Sequence, residues 1–139
     1  MAKKLVVSAS PHVRSNQSTP GIMLDVIIAL IPALIMSVVY FGLRALTLTT
    51  VCVCSCVIFE SLSRKVMKRK NTISDLSAVV TGIILAFNLP ASMPLWMAII
   101  GCLVAIVVVK QMFGGIGQNF VNPAMTARII LMTSFPTAM

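Results

Sequence analysis

The sequence predicts an all-α fold, a polytopic membrane helix bundle with about five apolar segments, some of them short or discontinuous. Hydrophobic residues make up 58% of the chain and charged residues only 10%, whereas soluble domains average roughly 45–50% and about 25%. Mean hydropathy is +1.02. The basic residues responsible for the net charge of +8 lie in short clusters beside apolar runs, a pattern that orients membrane helices. We therefore predict contact with the lipid bilayer and no nucleic-acid partner.

The apolar segments follow a polar amino-terminal tail. We assign residues 1–20 to this tail, without a cleavable signal peptide, and residues 21–139 to a membrane domain. Because a helix rises about 1.5 Å per residue, about 20 residues cross a hydrocarbon core about 30 Å thick. The predicted segments lie at about 22–43, 45–62, 76–89, 94–113 and 123–139. The third is short for a full crossing and stops at Asn88-Leu89-Pro90.

The distribution of basic residues predicts the orientation of the chain. With a cytoplasmic N-terminus, most Lys and Arg residues fall on the cytoplasmic side, where such residues are retained. They are Lys3, Lys4, Arg14, Arg64, Lys65, Lys68, Arg69, Lys70 and Lys110. Arg44 alone lies outside, and Arg128 lies within the fifth segment. We therefore predict a multi-pass membrane protein with a cytoplasmic N-terminus.

A polar, glycine-rich break over residues 114–124 separates the fourth and fifth segments. Its glycines permit positive φ angles and close backbone approaches, and Asn122 followed by Pro123 predicts a capped helix start. The break is either a turn at the membrane surface or a stretch of backbone at membrane depth, where side-chain amides satisfy freed polar groups. The residues concerned are Gly114, Gly115, Gly117, Asn119 and Asn122.

Two charged residues within the apolar segments are candidates for function. Asp25 lies where the helix dipole favours an acid, or it is a cation or proton relay site. Arg128 lies about 8 Å into the fifth segment, near the positive end of the helix dipole. We expect an anionic partner for it, either Asp75 or an anionic ligand at the Asn122 helix start. Candidates for an ion path or a structural re-entry are Asp25, Asn88, Gly114, Gly115, Gly117, Asn119, Asn122 and Arg128.

The cysteines do not predict a metal site. Residues two apart on a helix point about 200° apart, so Cys52 and Cys56 share a face and Cys54 does not. Small buried apolar side chains are the favoured interpretation. His12 is a lone histidine in a polar tail. We find no acid–base pair, activated nucleophile or phosphate-binding loop, and so predict no catalytic residue.

Several motifs together resemble a known family. They are Ser10-Pro11-His12, the run Ile22–Ala33 with Asp25 and Pro32, and Phe113-Gly114-Gly115-Ile116-Gly117-Gln118-Asn119 followed by Asn122-Pro123-Ala124. This pattern is similar to the RnfD/NqrB family, which contains the D subunit of the Rnf ion-translocating ferredoxin:NAD oxidoreductase and the B subunit of the sodium-pumping NADH:quinone reductase. The likeness extends from about residue 8 to the end, and the glycine–asparagine stretch is its most specific part.

The resemblance implies a fold and a function. The fold is a bundle of about ten membrane helices in two related halves, broadly like a urea transporter, of which this chain is the first half. The function is that of a translocase subunit, coupling electron transfer between ferredoxin and NAD to Na⁺ or H⁺ transport across the bacterial inner membrane. Implied partners are the A, B, C, E and G subunits of an Rnf-type complex. The alternatives are a cofactor-free transporter or channel half with re-entrant helices, and a structural membrane anchor.

The resemblance also implies a covalent flavin mononucleotide (FMN). The family attaches it through a phosphoester to a threonine in a Ser-Gly-Ala-Thr-like motif on the outer side. Thr133 and Thr137 lack that context. We therefore expect the attachment site outside this chain, C-terminal to Met139, in a longer protein of which this sequence is a fragment.

Overall fold

The computed structural model describes residues 16–70 and 73–139, which form an all-α structure as predicted. His12 and most of the predicted tail lie outside the described residues. The helices are α1 (Thr19–Phe41), α2 (Leu43–Val66), α3 (Ser77–Phe87), α4 (Leu95–Leu103) and α5 (Pro123–Ser134). A 3₁₀ turn, Ile73–Asp75, precedes α3, and α4 continues directly into a π-helical segment, Val104–Gln111.

Helices α1 and α2 are long and apolar enough to cross a membrane. Their 23 and 24 residues correspond to about 35 Å of helix. Gly42, at φ +71°, joins them in a tight turn. None of the residues of α1 is buried, whereas α2 packs against α3, α4 and the π-helical segment. Helix α1 therefore lies at the edge of the bundle and α2 lies within it.

Helix α3 is short and mostly buried. Its 11 residues give about 17 Å of helix, about half of the hydrocarbon thickness. It packs so closely on α2 that a Cβ at Gly82 would lie only 2.8 Å from the Cα of Val53. Small residues at such crossings let helix backbones approach each other in membrane proteins.

The core contains small side chains from several helices. Cys52 and Cys56 of α2 are fully buried, while Cys54 is exposed, which agrees with the helical-face argument. The Sγ of Cys102 on α4 lies 3.6 Å from the backbone oxygen of Cys52. Leu131 of α5 packs into the same cluster. The cysteines therefore serve as small buried side chains at the contact of α2 with α4.

Candidate functional site

A buried ion pair joins α2 to the π-helical segment. Nζ of Lys110 lies 2.9 Å from Oε1 of Glu60, and the two residues are 2% and 0% exposed. Lys110 also donates to Oγ of Ser77 at 2.6 Å. Nε2 of Gln111 donates to the same carboxylate oxygen of Glu60 at 3.3 Å. Glu60, Ser77, Lys110 and Gln111 are called the polar network below.

The polar network lies inside the bundle, near the C-terminal end of α2. Glu60 is six residues from Val66, where α2 ends, which places it about 9 Å along the helix from that end. An unpaired charge at such a position is strongly unfavourable, and pairing with hydrogen bonds offsets much of the desolvation cost. The carboxylate and the ammonium therefore depend on each other for their burial.

The π-helical segment positions two consecutive side chains on one carboxylate. The N–H of Met112 donates to the carbonyl of Val107 at 3.2 Å, a spacing of five residues. π-Helical turns are rare in proteins overall, and those that occur often lie at functional sites. Lys110 and Gln111, the last two residues of the segment, both reach Glu60.

The glycine-rich break folds back over the end of this segment. The N–H of Gly115 donates to the carbonyl of Lys110 at 2.9 Å. With its amide oriented so that nitrogen faces the helix, Asn119 donates to the carbonyls of Val109 and Lys110 at 3.2 and 3.3 Å. The break thus supplies donors to carbonyls that have no partner further along the helix.

The break needs glycine for its backbone and for its packing. Gly114, Gly115 and Gly117 have φ angles of +112°, +102° and +81°, a region that side chains disfavour. A Cβ at Gly115 would also lie 2.6 Å from Nη2 of Arg64. Arg64 is only 8% exposed, so its guanidinium lies between α2 and the break.

A cavity of about 200 Å³ reaches the polar network. Ser77 and Lys110 line it, together with Gly117, Asn119 and Asn122. Oδ1 of Asn122 accepts from the N–H groups of residues 124 and 125 at 3.0 and 3.4 Å, which makes it the N-cap of α5, as predicted. The cavity therefore brings the buried lysine, two side-chain amides and two helix starts together.

Arg128 lies elsewhere. Its Nη1 donates to Oδ1 of Asn88 at 3.0 Å, at the far end of α3 from Ser77. Among the described residues the ion pair is that of Lys110 with Glu60, so the predicted pairing of Arg128 with Asp75 is wrong. Helices α3 and α5 both start near the cavity that Lys110 lines. The side chain of Arg128 instead contacts Asn88 at the C-terminal end of α3.

Comparison with known proteins shows the family to which the chain belongs. Residues 6–139 match the NQR2, RnfD, RnfE family. The chain belongs to this family. It is therefore a membrane protein of that family, consistent with its two helices of membrane-crossing length.

Three curated relatives within the NQR2, RnfD, RnfE family show the extent of the likeness. The chain is 52% identical over 132 residues to the D subunit of the Na⁺-translocating ferredoxin:NAD⁺ oxidoreductase complex of Acetobacterium woodii, covering 95% of this chain and 42% of that protein. It is 41% identical to the D subunit of the proton-translocating ferredoxin:NAD⁺ oxidoreductase complex of Clostridium ljungdahlii, covering 96% and 40%. It is also 41% identical to the D subunit of the ion-translocating oxidoreductase complex of Haemophilus influenzae, covering 94% and 37%. The chain thus spans about two fifths of the length of these relatives.

The threonines near the end of the chain do not fit a covalent flavin. Oγ1 of Thr133 donates to backbone oxygens of its own helix, at 3.1 Å to Ile129 and 2.9 Å to Ile130. Neither Thr133 nor Thr137 is preceded by Ser-Gly-Ala. The described residues therefore show no attachment site for the FMN that the family resemblance implies.

The structure gathers some of the predicted residues and separates others. Gly114 and Gly115 donate to the carbonyls of Gln111 and Lys110. The cavity beside Lys110 is lined by Gly117, Asn119 and Asn122. Asn88 and Arg128 form a separate pair. Asp25 is exposed on α1 and is not among the residues lining the cavity beside Lys110.

The sequence interpretation missed the polar network itself. Glu60 is the one acid in α2, and an acid in a membrane segment calls for a buried cationic partner; that signal was available. Lys110, which the count of basic residues places on the cytoplasmic flank, is buried in the ion pair with Glu60, and its side of the membrane stays a prediction.

Proposed function

We propose that this chain belongs to a membrane subunit of a redox-driven ion-translocating complex. The complex would couple electron transfer between ferredoxin and NAD to movement of Na⁺ or H⁺ across the bacterial inner membrane. The observation that carries the proposal is the 52% identity over 132 residues to the D subunit of the Na⁺-translocating complex of Acetobacterium woodii. Similar subunits named for Na⁺ and for protons match the chain, so either ion is included.

The polar network supports this proposal because it places charged groups where ions would have to enter an apolar bundle. Lys110 lines a cavity of about 200 Å³, and its ammonium is held by Glu60. Glycine- and proline-interrupted segments are a frequent mark of ion paths in membrane proteins. We assign Gly114, Gly115, Gly117, Asn119 and Asn122 a structural role beside such a path, and Asn88 with Arg128 a role at its other end. Asp25 remains a second candidate along the path.

The proposed arrangement has the N-terminus in the cytoplasm. Arg64 and Lys65 lie in the last turn of α2 and Lys70 follows the helix. Arg44 lies in the first turn of α2 and donates to the Ser92 carbonyl at 3.3 Å. This separation of charge is what the retention of basic residues in the cytoplasm would produce. We further propose that the chain is the first half of a bundle of about ten helices, assembled with the A, B, C, E and G subunits of an Rnf-type complex. Covalent FMN would then be carried by another part of the full-length subunit.

The test uses the full-length subunit in its native membranes. Deleting its gene should abolish ferredoxin-dependent NAD reduction and the accompanying ion uptake into inverted vesicles, and the intact gene should restore both. Ion-coupled activity that persists in the deletion strain would contradict the proposal. In-gel flavin fluorescence of the denatured full-length subunit adds a second readout. Absent fluorescence, together with transport that needs no electron flow, would favour a cofactor-free transporter instead.

A further inference from the structure

A second cavity, of about 680 Å³, lies at the end of α2. Four basic side chains line it, and no acidic residue is among its described lining residues. The basic residues are Arg64, Lys65, Lys68 and Arg69. Such a concentration of positive charge in one concave surface favours an anionic occupant.

The other wall of this cavity is apolar and lies on the outer surface of the described helices. Ile58 and Leu62 line it and are 59% and 54% exposed. They lie one turn apart on one face of α2. Ile58 precedes Lys65 by seven residues, about 10 Å of helix. The cavity thus passes from an apolar wall to a basic one over the depth at which a phospholipid changes from acyl chain to phosphate.

Arg64 has donor capacity to spare at the base of this cavity. Its Nε is buried and has no hydrogen-bond partner among the described residues, and Arg64 as a whole is only 8% exposed. Its Nη1 reaches the carbonyl of Lys70 only at 3.5 Å. A guanidinium in this state lacks the charged acceptor that it binds best.

We propose that this cavity binds an anionic phospholipid of the membrane. The phosphate lies among the four basic side chains of the cavity, with Arg64 at its base, and an acyl chain lies along Ile58 and Leu62. The apolar wall distinguishes this occupant from a free phosphate ion, which would gain nothing from two exposed aliphatic side chains. The inference rests on the chain being a membrane protein and does not depend on the proposed ion-translocating function.

The proposed lipid would also connect two parts of the bundle. Nη1 of Arg69 donates to the carbonyl of Gln111 at 3.5 Å, next to the polar network. A phosphate beside Arg69 would reduce repulsion among the basic side chains and so favour this approach of α2 to the π-helical segment. The lipid site is therefore a stabilising element of this end of the bundle.

Native mass spectrometry of the purified full-length complex tests the proposal. Samples are equilibrated with phosphatidylglycerol, with zwitterionic phosphatidylcholine, or with inorganic phosphate. We expect retention of phosphatidylglycerol in preference to phosphatidylcholine, and no displacement by inorganic phosphate. Lys68→Gln should weaken phosphatidylglycerol binding at least about tenfold, the factor that corresponds to the loss of one hydrogen bond between charged groups.

Lys70→Gln is the matched control. Lys70 is an exposed lysine two residues from Lys68, but it does not line the cavity. Because its loss removes only diffuse attraction, lipid binding should stay within about twofold of wild type. Equal weakening by Lys68→Gln and Lys70→Gln would show diffuse attraction and overturn the proposal. Equal retention of the two lipids by the wild-type complex would overturn it without any variant. Displacement by inorganic phosphate would overturn the assignment to a lipid.

Discussion

Nζ of Lys110 is 2.9 Å from Oε1 of Glu60, and the two side chains come from positions 50 residues apart in the chain. Their nearly complete burial makes the pair a strong determinant of how α2 meets the π-helical segment. Removing one partner leaves the other charge buried and alone, whereas removing both leaves no charge buried at this contact.

A double-mutant cycle on this pair follows. Glu60→Gln and Lys110→Met should each lower the stability of the assembled subunit by about 3–5 kcal/mol, measured as thermal inactivation in detergent. The double variant should lose less than the sum of the two. Lys70→Met, which removes an exposed lysine, is the control and should change stability little. Additive losses in the double variant would show that the two charges are not coupled.

Glycine at position 115 should be harder to replace than glycine at position 117. Both have positive φ angles, so Gly115→Ala and Gly117→Ala should each cost about 1–3 kcal/mol of backbone strain. Only the first adds a Cβ within 2.6 Å of Arg64; at Gly117 nothing lies within 4 Å. Thermal stability should therefore fall further in Gly115→Ala, and equal melting temperatures would contradict the contact with Arg64.

The hydrogen bond between Arg128 and Asn88 should appear as an energetic coupling. Combining Arg128→Gln with Asn88→Ala should give an interaction energy of about 0.5–3 kcal/mol in a stability measurement. Combining Arg128→Gln with Asp75→Asn should give nearly additive effects, because Asp75 does not pair with Arg128. Energetic coupling of Arg128 to Asp75 and not to Asn88 would contradict the structure and support the ion pair predicted from the sequence.

Two helix glycines offer a comparison of rigid with adaptable neighbours. A Cβ at Gly82 meets the backbone of Val53 at 2.8 Å, whereas one at Gly101 meets Cδ1 of the Leu131 side chain. Gly82→Ala should cost about 1–3 kcal/mol, the usual range for overpacking. Gly101→Ala should cost less because a leucine side chain can rotate. The two variants can be ranked by the detergent concentration or temperature at which the subunit aggregates.

The sequence predicted those features that depend on local pattern. Apolar runs and breakers indicate an all-α fold, and Asn122 followed by Pro123 indicates a helix start, because capping requires only neighbouring residues. The positive φ angles of the glycine-rich break follow from residue type as well. Burial of Cys52 and Cys56 but not Cys54 follows from helical periodicity.

The contacts between helices could not be predicted in the same way. The partner of Glu60 is set by how α2 crosses the π-helical segment, and no local signal distinguishes Lys110 from the cations of a cytoplasmic flank. Arg128 was assigned an acid by charge alone. The structure offers it the amide of Asn88 instead, since Asn88 lies within reach at the end of α3.

The π-helical segment Val104–Gln111 makes this region unusually sensitive to chain length. A π-helical turn holds one residue more than an α-helical turn, so deleting one residue from the segment would restore α-helical spacing. Lys110 and Gln111 would then diverge more widely, and one of them would leave Glu60. Substitutions at exposed positions such as Val108 should be tolerated here, whereas single-residue deletions should not, because the count of residues between Leu103 and Gly114 sets which side chains face the carboxylate.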